Sequence, residues 1–234
     1  MAININTVYQ KVLALANKEQ RGYITPQEFN LLADKAQNEI YENYFHKART
    51  SNAKIKDDDQ YTDTLEMIEA KLAPFFKSES NTNVASGIMT FPTDMYKLVA
   101  ITQGTSLLEE VNRKEFLQIT GTGAGVGLIS AYSTRPVFYR KSGTTIVILP
   151  SPSDSTAHIV NYYKQPTAPK WGYVVVNEKA LYNINDSVDF ELAVSEEEPL
   201  VLRILMLAGL TIQRPDIIQA GGQGLQMINQ EQNS

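Results

Sequence analysis

Histidines, runs of carboxylates, a glycine-rich loop and tyrosines are the groups in this 234-residue chain whose chemistry could carry a function. The two histidines, His46 and His158, are far apart in sequence, and neither has a second histidine at metal-ligand spacing. A solvated or hydrogen-bonded imidazole explains both better than a ligand or a general base. Asp57, Asp58 and Asp59 offer oxygens to a hard cation, but adjacent carboxylates on a helix point different ways and no glycine-containing calcium loop surrounds them. Glu196, Glu197 and Glu198 follow Ser195, where the dipole of a helix start favours acids without any general-acid role. Gly121, Gly123, Gly125 and Gly127 fall at every second position, not at the first, third and sixth of a dinucleotide turn, so a loop is expected and not a phosphate site. The chain has neither a Gly-x-x-x-x-Gly-Lys loop nor a serine in a nucleophile elbow. It has no cysteine, which excludes disulfides, thiolate metal sites and cysteine nucleophiles. The expectation is a protein that is not an enzyme, with no cofactor, no metal and no catalytic residues.

The twelve tyrosines could stack on bases, but they recur at core spacing. They meet lysine or arginine only at Phe138-Tyr139-Arg140-Lys141 and Tyr162-Tyr163-Lys164, so packing or an interface is their expected role. Against 26 Asp and Glu stand 21 Lys and Arg, a net charge of −5, which argues against a dedicated nucleic-acid binder. The opening Met-Ala-Ile-Asn-Ile-Asn lacks the basic start and apolar run of a signal peptide, and the apolar stretch from Leu200 to Leu210 is broken by Arg203 and Gly209. A protein made and kept in a cytoplasm, with no membrane partner, is expected.

The elements that would position these groups begin with Ile5, Val8, Val12, Leu15 and Ala16, one apolar stripe of a helix over 4–18. Thr25-Pro26-Gln27-Glu28 is a capping box with proline at the first helical position. The helix it opens carries Phe29, Leu32, Ala36, Ile40 and Tyr44 on one face and runs to Lys47, about 33 Å at ~1.5 Å per residue. A loop is expected over 49–60, a helix over 62–73 closed by Pro74, and a Ser- and Asn-rich linker over 77–86. Strands around a proline turn follow over 88–101, then a short helix or turn over 109–118.

The strongest strand signals lie in 135–166. Val137-Phe138-Tyr139, the turn Arg140-Lys141-Ser142-Gly143 and Thr144 to Leu149, β-branched at five of six positions, predict a hairpin. Ala157 to Tyr163 would return as the third strand of a meander. Pro166 to Gly172 reads as a stiff connector holding the single tryptophan, and further strands are expected at 173–176, 181–182 and 188–192. Ser195 to Glu198 resembles a second capping box, opening a helix apolar on nearly all sides. The fold class is therefore α+β: an antiparallel helix bundle of N-terminal helices plus the C-terminal apolar helix, with an inserted antiparallel β unit. The expected parts are 1–77 (N-terminal helical), 84–194 (β unit), 195–212 (returning helix) and 213–234 (extended docking tail). In that tail Arg214, Ile217 and Ile218 are the candidate partner-docking residues, because a polar segment gains order by laying a few anchors on another chain.

Several ordered segments carry a resemblance. VYQKVLALANKEQRGYITPQEFNLLADKAQNEIYENYF stands at the front, FPTDMYKL, EEVNRKEFLQI and RPVFY, ILPSP and VNYYKQPTAPKW in the middle, and DFELAVSEEEPLVLRILMLAGL near the end. Together, from Ile5 to about Gln226, they resemble the head-to-tail connector or ring proteins of tailed bacteriophages, of the crAss-like and related short-tailed type. The resemblance implies a non-enzymatic virion structural protein, one subunit of a ring, usually of twelve copies, below the portal and lining the genome channel. It implies as partners the ring's own copies, the portal and adjacent ring or tail proteins, with DNA passing unbound, and localisation in the virion neck after assembly in the host cytoplasm. A different class, a virion-associated module docking cargo, fibre or another tail protein, stands beside it.

Overall fold

The computed structural model describes residues 2–17, 24–54, 60–81, 84–85, 87–120, 135–149, 157–211, 222–223 and 225–227. In chain order the elements are β1 (Ala2–Ile3), α1 (Ile5–Asn17), α2 (Pro26–Lys54), α3 (Gln60–Leu72), β2 (Phe76–Asn81), β3 (Val84–Ala85), β4 (Ile88–Thr90) and β5 (Met95–Gln103). Next come β6 (Ser106–Leu107), β7 (Glu109–Glu110), α4 (Arg113–Thr120), β8 (Val137–Arg140), β9 (Thr145–Leu149) and β10 (His158–Lys164). The last are β11 (Tyr173–Val176), β12 (Lys179–Tyr182), β13 (Phe190–Ala193) and α5 (Glu197–Thr211). The fold is mixed α+β with mostly antiparallel sheets. The chain divides into two compact units, one made of 1–74 and 166–234, the other of 75–165.

In the first unit α2 packs against α3 and α5, α1 packs against α5, and β1 pairs antiparallel with β13. Helix starts are set by side chains that satisfy orphan backbone donors. Asn4 Oδ1 accepts from Thr7 N at 3.0 Å before α1. At α2 the capping box forms as expected: Glu28 N donates to Thr25 Oγ1 at 3.3 Å and Thr25 N donates to Glu28 Oε2 at 2.9 Å. That bond holds the Glu28 carboxyl below its usual range. The buried face of α2 holds Phe29, Ala33, Ala36, Ile40, Tyr41 and Tyr44. The helix continues through the expected loop start at 49 to Lys54, 29 residues in all, because nothing between Tyr44 and Lys54 breaks a helix.

The connector after Pro166 is fastened by two α2 side chains. Buried Gln37 donates to the Thr167 carbonyl at 2.8 Å and accepts from Glu191 N at 3.1 Å. Asn30 Oδ1 accepts from Trp171 N at 2.7 Å. The indole N–H donates to Asn6 Oδ1 at 3.0 Å, and the ring lies 4.4 Å from that of Tyr9. At the other end, α5 opens differently from expectation. A 3-10 turn, Val194–Glu196, precedes Glu197, and its N-cap is Ala193, with no side-chain cap bond, so Ser195 is not the cap. α5 buries Leu200, Val201, Ile204, Leu205, Leu207 and Ala208, while Arg203 reaches Glu39 at 3.5 Å.

The second unit has a four-stranded sheet, ordered β2-β10-β5-β6, and a five-stranded one, ordered β3-β4-β9-β8-β7. Both contribute to one core of Val84, Met89, Phe91, Ile101, Leu108, Phe138, Ile146, Ile148, Val160 and Tyr162. β8 and β9 form the expected hairpin, with β7 pairing parallel on β8. The meander does not continue. β10 leaves β9 and inserts between β2 and β5, so that Val160 and Tyr162 cover the core from the opposite sheet. The expected linker at 77–86 is in part β2, an edge strand: polar residues suffice there because among the described residues β2 pairs on one side only. The stretch 109–118 is β7 followed by α4, whose start is a second reciprocal box, Glu115 N to Asn112 Oδ1 at 2.9 Å and Asn112 N to Glu115 Oε2 at 3.1 Å. The expected β unit of 84–194 thus falls in two: 75–165 is compact by itself, and β11, β12 and β13 group with the helices.

Candidate functional site

The two histidines singled out for chemistry lie in different units. His46 is exposed near the end of α2, and His158 is fully buried in β10 of the other unit. Asp57 to Asp59, the glycines of 121–127 and the docking candidates Arg214, Ile217 and Ile218 lie outside the described residues. Among the described residues no group of three or more His, Asp or Glu could hold a metal ion.

Two polar clusters form instead, one in each unit. In the first, Lys71 of α3 and Glu196 at the foot of α5 make a nearly enclosed ion pair at 2.6 Å, with side chains 18% and 7% exposed. The Lys71 ammonium stands 5.9 Å from the centre of the Tyr44 ring. Burial, then the Glu196 carboxylate, pushes the Tyr44 hydroxyl well above the ordinary tyrosine range. Burial, then the like charge of Lys71, holds Lys47 below the usual lysine value. Beside this cluster Glu197 pairs with Lys11 at 2.6 Å, tying α1 to α5. In the second unit the Tyr162 hydroxyl lies 2.9 Å from both Glu79 Oε2 and Asp94 Oδ1, and Lys77 Nζ lies 2.6 Å from Asp94 Oδ2. Burial chiefly raises Tyr162, and the Lys77 ammonium chiefly lowers Asp94. Only the Tyr162 hydroxyl has carboxylate partners within hydrogen-bond distance, to one of which it donates, while the Tyr44 hydroxyl is buried without one. Each cluster ties neighbouring elements together.

The feature without an internal explanation is the hairpin β11–β12. Among the described residues it pairs with no strand beyond its own two, in the register Tyr173↔Tyr182, Val174↔Leu181, Val175↔Ala180 and Val176↔Lys179. Its base is anchored, since Trp171 stacks with Tyr173 at 5.8 Å and lies 5.7 Å from Tyr182. Beyond the base it is bare on both faces: Val174 is 50% exposed, Val175 62%, Val176 46% and Leu181 52%. Asn177 and Glu178 close the turn at φ 51° and 63°, both left-handed. Two such residues in a two-residue loop make the primed turn that matches strand twist, a conformation Asn adopts readily and Glu only at a backbone cost. Isolated two-stranded hairpins are marginal in water, and exposed apolar surface on both sides marks a contact surface. The sequence signal was the run Val174-Val175-Val176. It indicates a strand, but not that among the described residues no further strand pairs with the hairpin.

Among the described residues no helix is long and apolar enough to cross a membrane. In comparison with known proteins, no family model and no curated protein matches the chain.

Proposed function

We propose that the chain is a non-enzymatic structural subunit of a ring of twelve copies in the head-to-tail connector of a tailed bacteriophage, below the portal and lining the genome channel. The observation that carries assembly is the β11–β12 hairpin, which leaves Val174, Val175, Val176 and Leu181 in water on a single chain. A subunit that does not finish its burial alone finishes it on a neighbour. The virion setting rests on the segment resemblance. In this reading α1, α2, α3 and α5 form an antiparallel bundle, and the portal and adjacent ring or tail proteins are the outer partners. DNA passes without specific binding, which suits an acidic chain. The mass of the purified full chain tests it. Native mass spectrometry across a concentration series is expected to show a closed oligomer, of twelve copies, at the high end. A monomer at every concentration overturns the ring and leaves a docking module for cargo or fibre.

A further inference from the structure

We draw no further inference here: the strongest candidate, the outward face of the four-stranded sheet in the second unit, where Phe76, Ile159 and Leu107 are exposed, carries nothing because nothing in the structure shows what covers it.

Discussion

At position 172 only hydrogen fits. A Cβ there would meet the backbone carbon and oxygen of Asp186 at 2.6 Å, while Gly172 N donates to Ser187 Oγ at 3.0 Å and the Gly172 carbonyl accepts from Asn183 N at 2.8 Å. Neither wall is a flexible side chain, so Gly172→Ala must push two backbone segments apart. A loss of about 1–3 kcal/mol is expected in denaturant unfolding; an unchanged midpoint would show the two segments to be slack. Asp94 gives a prediction in pH. Its folded value lies below the ordinary 3.8, so its stabilising share is present above about that pH and fades as pH falls through the folded value. Asp94→Asn should therefore show a smaller drop in Tm between pH 6 and pH 3 than the wild type, and an equal drop would remove Asp94 from the acid response. Legibility at this scale follows sequence separation. Thr25 and Glu28 could be paired on sight because they bond each other three residues apart. Gln37 and Asn30 could not, since their partners lie 130 to 154 residues away.

Elements read correctly where their pattern was their own, and failed where a partner decided. The apolar surround of α5 predicted burial on several sides, and it packs on both α1 and α2. Leu205, 7% exposed, lies in that packing. Leu205→Asp is expected to cost several kcal/mol through a buried unpaired charge and to send expression into the insoluble fraction. Normal yield with unchanged thermal unfolding would mean that the helix moves aside freely. Conversely, Phe76 to Asn81 has the composition of a linker and becomes strand because β10 offers an edge. β10 itself reads as the next strand of a meander, yet the shared core takes it to the other sheet, since Val160 and Tyr162 bury fully there. Local propensity cannot state which of two sheets receives a strand.

The same limit set the wrong extent for the inserted unit at the scale of the whole molecule. Strand-like segments from 173 to 192 look continuous with those before them, but β13 pairs with β1 at the other end of the chain, as Ile3↔Phe190. Asp189 also accepts from Ile5 N at 2.8 Å. These contacts pull 166–234 to the helices and leave 75–165 as the insertion. Its two ends are neighbours, for Phe76 pairs with Tyr163 in the β2–β10 ladder. Paired residues in antiparallel strands stand about 5 Å apart, a gap that a few residues span. Replacing 75–165 by a short Gly-Ser turn should thus leave the first unit able to fold, with a cooperative transition and helical circular dichroism. The segment 75–165 expressed alone should fold as well, because all ten residues of its core cluster come from within it. If the spliced chain is insoluble while the excised segment folds, the first unit needs the insertion in order to fold although the insertion does not need it.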